Sequence, residues 1–242
     1  MRTLPQPTLP WLEAGDAFPA TSQAWGAQSE APGLLAAGGG LDVATLVQAY
    51  RRGIFPWFSE GQPILWWSPD PRMVLYPAEI KVSRSLRKTL RRDDYEIRVD
   101  TSFRAVMDAC AQPRDGQPGT WILQAMIDAY CRLAAMGHAH CVETWRDGKM
   151  VGGLYGLAIG RAFFGESMFS RATDASKVAL VHLARQLERW QFGPIDCQMR
   201  TSHLESLGAR QISRASFSHG LEQLVHYPQP AGSWTFDRDL IG

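Results

Sequence analysis

The chain lacks most of the short signatures that announce a chemistry. It has no Gly-x-Gly-x-x-Gly, and Gly38–Gly39–Gly40 has no Lys-Ser/Thr behind it. Neither a dinucleotide fingerprint nor a phosphate loop is therefore supported. Gly-x-Ser-x-Gly is absent, which removes a hydrolase elbow, and Ser167 and Ser170 have no histidine placed beside them. The four cysteines, Cys110, Cys131, Cys141 and Cys197, form no Cys-x-x-Cys pair. They read as reduced thiols of a cytosolic protein. His138 and His140 make a His-x-His pair without a third ligand nearby, so no metal is expected. No run approaches the roughly 18 apolar residues of a membrane span, and Met1–Pro10 lacks the apolar core of a signal peptide. Charge of one sign is not in excess: 25 Lys and Arg stand against 24 Asp and Glu. The whole-molecule charge does not announce a nucleic-acid binder, but leaves room for a local patch.

What is present is globular. The 242 residues are 45% hydrophobic and 20% charged, enough for one large domain or two small ones. Nine tryptophans, among them Trp57, Trp66, Trp67, Trp121 and Trp145, serve either as core filling or as stacking surfaces for a planar ligand. Residues 1–33 read as an extended arm anchored by Trp11, Phe18 and Trp25, and Gly33–Gly40 as a tight turn before a helix capped by Asp42 and closed by Gly53. An aromatic knot at Ile54–Phe58 and a strand at Ile64–Trp67 lead to the breaker Ser68–Pro71, which divides a small N-terminal domain, 1–70, from the remaining 71–242. Helices are expected over Asp100–Ala111 and from Thr120 to Gly137, with Trp121 in the first turn of the second. An antiparallel meander follows from His140, turning at Asp147–Gly148 and Gly160–Arg161. After it come a helix from Thr173 or Asp174 to Trp190, a strand at Ile195–Met199, a short helix from Ser202, a strand at Arg210–Ser213 and a helix at Ser216–Val225. The tail from Tyr227 reads as mostly irregular.

Two stretches stand out. Between Lys81 and Arg92 there are six basic residues and no acid. Arg84, Arg87, Lys88, Arg91 and Arg92 share one broad helical face, opposite Val82, Leu86 and Leu90. Solvated faces usually mix signs, so a single-sign helix in a neutral chain favours contact with a phosphate backbone. The second stretch is Phe163–Ser170, which holds one acid, Glu166, among aromatic and sulfur side chains. A carboxylate there must be paired, hydrogen-bonded or functional. By strand alternation Glu166, Met168 and Phe164 share a face, as do Asp196 and Gln198. If the two strands are neighbours, two acids and an amide collect on one apolar floor, where they either close a structural network or orient an amine.

The order of helices, meander, helix and strand resembles the acetyltransferase-like fold. The loop that holds coenzyme A in that fold has no counterpart in Phe169–Lys177. More specific is a series of strings: Gly33–Ala36, Ala49-Tyr-Arg-Arg-Gly-Ile-Phe-Pro-Trp-Phe58, Ile64-Leu-Trp-Trp-Ser-Pro-Asp-Pro-Arg72, Ser83–Leu86, Gly119-Thr-Trp-Ile122 and Gly152-Gly-Leu-Tyr-Gly156. They continue in Phe164-Gly-Glu-Ser-Met-Phe-Ser170, Ala175-Ser-Lys177, Ile195-Asp-Cys-Gln198 and Ser206-Leu-Gly-Ala209. In this order, over about residues 33–217, the chain resembles the bacterial leucyl/phenylalanyl-tRNA–protein transferases. One departure is Gly40, where the family usually has Asp.

The resemblance implies an α+β protein: a small N-terminal α/β domain, then an acetyltransferase-like (GNAT-type) catalytic domain with a mainly antiparallel sheet flanked by helices. It implies transfer of Leu or Phe, with Met as a further donor, from aminoacyl-tRNA to the α-amine of proteins beginning with Arg or Lys. The product enters N-end-rule degradation. No metal or coenzyme is used, and the partners include neither membrane nor DNA. Asp196, Gln198 and Glu166 are the implied catalytic group, with Gln198 as an orienting partner of the amine. Trp57 and Trp121 would stack the terminal adenosine. Tyr50, Phe55, Leu154, Met168, Leu183 and Leu187 would complete the substrate pocket, and the basic helix would hold the tRNA stem. An acyl-coenzyme A-dependent acyltransferase of the same fold, or a non-catalytic RNA-binding module, are the alternatives.

Overall fold

Short apolar runs punctuated by Gly and Pro dominate the first seventy residues, and they make short strands. The computed structural model describes residues 8–92, 94–113, 122–228 and 233–241. In it β1 (Trp11–Leu12), β2 (Leu34–Gly38), β3 (Phe55–Pro56) and β4 (Leu65–Trp67) form a sheet in the order β1-β2-β4-β3. Residues Leu34–Gly38, expected as a turn, are instead its fully buried central strand. A continuous apolar run carries no period that separates a strand from a turn. The turn is confined to Gly38 and Gly39, at φ 86° and 75°. Asp42 caps α1 (Val43–Arg51) as expected, accepting from the Thr45 N–H at 2.9 Å. The arm is pinned where Arg52 donates to the carbonyls of Phe18 and Pro19.

Beyond Ser68–Pro71 a second sheet begins. Its strands are β5 (Arg72–Leu75), β6 (Glu96–Val99), β7 (Ala139–Arg146), β8 (Lys149–Ile159), β9 (Ala162–Ser170), β10 (Ile195–Gln198) and β11 (Arg210–Ile212), in the order β11-β5-β10-β9-β8-β7-β6. Every pairing is antiparallel except β9 with β10. The expected meander is β7-β8-β9. Asp147 and Gly148, at φ 51° and 69°, form the left-handed pair that a two-residue hairpin requires. Strand β6 is not among the expected elements: it is four residues of mixed burial that follow the charged helix too closely to show a period. The architecture is the expected α+β type, with a mainly antiparallel sheet flanked by helices: α2 (Arg84–Arg91), α3 (Phe103–Cys110), α4 (Gln124–Ala135), α5 (Ala175–Arg189), α6 (Ser202–Ser206), α7 (Arg214–Leu224) and α8 (Arg238–Ile241).

The sheet has an apolar layer on each face. On one, Val106, Met107, Met126 and Tyr130 of α3 and α4 join Leu35, Tyr50 and Trp66 of the N-terminal segment. On the other, Val178, Val181, Leu183 and Leu187 of α5 pack with Leu154, Phe163 and Ile195. Trp234 and Phe236 from the tail complete the second layer, with Trp234 stacked on His140 at 3.8 Å. Helix α4 starts at Gln124, after Leu123 as N-cap, rather than at Thr120. Thr120 and Trp121 lie outside the described residues. At α3 the cap comes from another element: the buried carboxylate of Glu143 on β7 accepts from the backbone N–H groups of Thr101 and Ser102, at 2.8 and 2.7 Å. At α5 the expected cap, Asp174, makes no capping bond. It sits at φ 61° and bonds Lys177 Nζ and Thr89 Oγ1 instead, tying α5 to α2.

Helix α5 can lie this close to the sheet because β8 carries Gly152. A Cβ added there would fall 2.5 Å from that of Ala175. Gly152→Ala should cost about 1–3 kcal/mol through overpacking, seen as a lower urea midpoint with an unchanged m-value. A midpoint equal to that of the unaltered chain would contradict this packing.

Candidate active site

Strands β9 and β10 run side by side for two residue pairs only, Ile195 with Phe163 and Asp196 with Phe164. Each then carries an extra residue relative to its other neighbour. Opposite β8, Tyr155 faces Ser167 and Gly156 faces Gly165, so Glu166 is the bulged residue. Opposite β5, Asp196 faces Val74 and Gln198 faces Met73, so Cys197 is. Bulges re-aim side chains, and these two face the gap where the strands part. A cavity of about 450 Å³ opens there, lined by Glu166, Met168, Cys197 and Gln198 from the strands, Leu180 and Leu183 from α5, Leu154 from β8, and Phe55 and Trp57 from the N-terminal segment.

The bulge at Cys197 overturns the simple alternation expected for β10. Gln198 takes a left-handed backbone, φ 55°, and lines the cavity beside Cys197. Asp196 turns the other way, into the protein. There Arg72, fully buried, donates through Nε to Oδ1 at 2.8 Å and through Nη2 to Oδ2 at 2.6 Å. The guanidinium also donates to the Gly53 carbonyl at 3.1 Å and lies between the rings of Phe55 and Phe217, 4.9 and 4.7 Å from their centroids. Asp196 Oδ1 additionally accepts the Gln198 backbone N–H at 3.0 Å, which holds Gln198 in its strained turn. The Gln198 side-chain Nε2 is buried with no hydrogen-bond partner among the described residues. A buried donor without a partner needs an explanation, and an open apolar cavity beside it supplies one: a ligand acceptor.

Glu166 is held from both halves of the chain. Tyr50 of α1 donates to Oε1 at 2.7 Å and Tyr130 of α4 to Oε2 at 3.3 Å, while the two phenol oxygens lie 2.5 Å apart. Burial pushes the Glu166 carboxyl up to about 7, against the downward pull of the Tyr50 hydrogen bond. Burial also raises both phenols well above their ordinary value, so they stay protonated and remain donors.

Of the residues singled out in the sequence, Trp57, Phe55, Leu154, Met168, Leu183, Glu166 and Gln198 meet at this one cavity. Tyr50 touches it only through Glu166. Phe164 packs edge-on at 5.1 Å against Tyr50, the phenol that bonds Glu166, whereas Met168, beyond the bulge, joins the α5 layer instead of the face expected for it. Leu187 is buried in the core one turn beyond Leu183, and Leu180 takes the lining position. Arg72 and Tyr130 were missed as site residues. Arg72 stood in the string ending Asp70-Pro71-Arg72, and the signal was a lone cation in a strand otherwise apolar enough to be buried. Away from the cavity, Arg84, Arg87, Lys88, Arg91 and Arg92 are all exposed on α2. None has an acidic partner among the described residues.

The chain is similar to known proteins over most of its length. The family model "Leucyl/phenylalanyl-tRNA protein transferase" matches residues 74–222, and that of its N-terminal domain matches 39–70. A leucyl/phenylalanyl-tRNA–protein transferase of Nitrosospira multiformis is 58% identical over 96% of this chain and 99% of its own. One from Nitrosomonas europaea is 64% identical over 86% of this chain and 88% of its own. Among solved structures, a ribosomal-protein-alanine N-acetyltransferase of Brucella melitensis aligns over 59% of this chain and 98% of its own, at 13% identity and a TM-score of 0.32. That likeness is too loose to carry an argument.

The Arg72–Asp196 pair generates a test. Arg72→Met leaves a buried carboxylate without its counter-charge and should cost about 3–5 kcal/mol at pH 7, measured by urea unfolding. A loss below about 1 kcal/mol would mean that water reaches Asp196.

Proposed function

Since the chain belongs to the leucyl/phenylalanyl-tRNA–protein transferase family and is thus a tRNA-dependent aminoacyltransferase, we propose that it acts in the cytoplasm, moving Leu or Phe onto the α-amine of proteins that begin with Arg or Lys. The modified proteins then enter N-end-rule degradation. The observation that carries this reading is the cavity at the parting of β9 and β10. It is apolar along Leu154, Met168, Leu180 and Leu183, and polar at one end through Gln198 and Glu166. Such a shape suits an aminoacyl ester, whose side chain is apolar and whose reacting end is polar.

The parts take the following roles. Trp57, 37% exposed beside the opening, supports the terminal adenosine by stacking, with Trp121 as its proposed companion. The leucines and Met168 take the Leu or Phe side chain. Gln198 directs its partnerless Nε2 donor at the ester carbonyl, where negative charge develops during attack. A neutral amide is a very poor base, so its work is orientation and charge stabilisation. Asp196 is already bound to Arg72 through both oxygens and fixes the Gln198 backbone. The uncompensated cations of α2 meet RNA phosphates. The small domain, 1–70, contributes Trp57, Phe55 and Tyr50 to a site whose remaining parts come from 71–242.

The reaction is tested with labelled Phe-tRNA and a peptide beginning with Arg. Label should move to the peptide, and no transfer beside an active control enzyme would defeat the proposal. Gln198→Ala should lower turnover about 10²–10³-fold while aminoacyl-tRNA binding changes little. Equal losses in both would remove its role at the ester. Neutralising Arg84, Arg87 and Lys88 together should weaken tRNA binding and reduce the salt slope by up to about two to three units. An unchanged slope would return α2 to an ordinary solvated face.

A further inference from the structure

The cluster around Glu166 is one hydrogen short. Three oxygen–oxygen contacts join Tyr50 to Tyr130, Tyr50 to Glu166 and Tyr130 to Glu166. When Glu166 is ionised only two hydrogens, one on each phenol, serve these three contacts. A third hydrogen on Glu166 satisfies all of them in a closed ring: the carboxyl donates to Tyr130, Tyr130 to Tyr50, and Tyr50 back to the carboxylate's other oxygen. The cluster is therefore built to receive one proton, and Glu166 lines the cavity where the acceptor amine must arrive.

We propose that Glu166 takes the proton from the acceptor's α-ammonium group, with Tyr50 and Tyr130 as positioning residues that aim the carboxylate and accommodate the proton once it has moved. This rests on the aminoacyl-transfer reading above. The Glu166 carboxylate removes one proton from the ammonium and becomes a carboxylic acid. The freed nitrogen lone pair forms the C–N bond to the ester carbonyl carbon. As the bond from that carbon to the ribose oxygen breaks, a second N–H proton passes to the leaving oxygen. Glu166 then releases its proton to water. The match in acidity supports the assignment: burial brings Glu166 to about 7, close to the roughly 8 of an α-amine. Asp196, the other acid nearby, has both oxygens engaged by Arg72.

The other titratable and charged groups around Glu166 are Arg72 on β5, Asp196 and Cys197 on β10, Tyr155 on β8 and His203 on α6. Arg72 favours the ionised carboxyl and Asp196 opposes it. Burial keeps the Cys197 thiol protonated, so it does not compete for the proton.

The experiment compares pH profiles of kcat/KM for transfer to an Arg-initiated peptide. Glu166→Gln keeps the shape of the side chain and cannot take a proton. Its activity should fall at least about tenfold at pH 7 and recover to within about threefold of the unaltered enzyme at pH 9, where the peptide amine is already neutral. Tyr50→Phe and Tyr130→Phe each remove a donor to the carboxylate. Each should move the acidic limb to higher pH, since the ionised form loses stabilisation. An equal loss for Glu166→Gln at both pH values, or an acidic limb unmoved in both tyrosine variants, would overturn the inference. An unaltered enzyme that transfers nothing would instead defeat the reaction assignment itself, so the two failures are distinguishable.

Discussion

Everything around the cavity depends on one buried ion pair. Arg72 and Asp196 are 0% and 1% exposed, so each has lost nearly all its hydration. Desolvation at this depth costs several kcal/mol per ion, and the structure offsets it with an unusually full set of contacts. The guanidinium meets a carboxylate in two places, a backbone carbonyl in a third, and an aromatic ring on either side. Those partners come from β10, the end of α1, β3 and α7. A single cation thus joins the edge of the N-terminal segment to the middle of the large sheet, and its geometry reaches Gln198 through the Asp196 carboxylate. The pair contributes little as net stabilisation. Its value lies in defining where five segments meet.

Much of the fold could be read from the chain because its periods are clean where its elements are long. The meander, its Asp147–Gly148 turn, the α5 helix and the Asp42 cap each follow from local rules that tertiary packing leaves intact. Legibility fails where the local signal is short or ambiguous. The Leu34–Gly38 run has no alternation, and Glu96–Val99 is four residues of mixed character. At the site the failure has one physical cause. Alternation predicts facing side chains only in regular strands, and both strands here carry an extra residue beside the cavity. Glu166 and Gln198 were recognisable by chemistry and by family likeness, but the opposite orientation of Asp196 follows from a bulge that no pattern in Ile195–Met199 reveals. Tyr130 falls within the helix expected from Thr120 to Gly137. Nothing local distinguished it from the core residues beside it.

The two bulges also explain how an apolar pocket and a polar reacting end coexist within a few residues. Strand β9 supplies Phe163 to one core layer and Phe164 to the other. After Gly165 it no longer needs a partner on the β10 side, and the backbone there is free to face a ligand. The polar groups arrive at the rim of that opening, where the sheet's own hydrogen-bond ladder has ended. An acid placed deeper would need a permanent counter-ion, as Asp196 does. Placed at the rim, Glu166 needs only two hydroxyl donors and remains free to change its protonation.

The tail is part of the folded unit. The matched segment stops at residue 222, whereas Trp234 and Phe236 fill the layer beneath α5, and Arg189 of α5 bonds both Asp237 and Asp239. Trp234 also covers His140 and donates its backbone N–H to Asp100 at 2.9 Å. Cutting the chain after residue 222 would strip the roof from Phe163, Trp190 and Phe192, leaving an aromatic surface in contact with water. For expression or engineering, Trp234 and Phe236 therefore behave as core rather than as appendage.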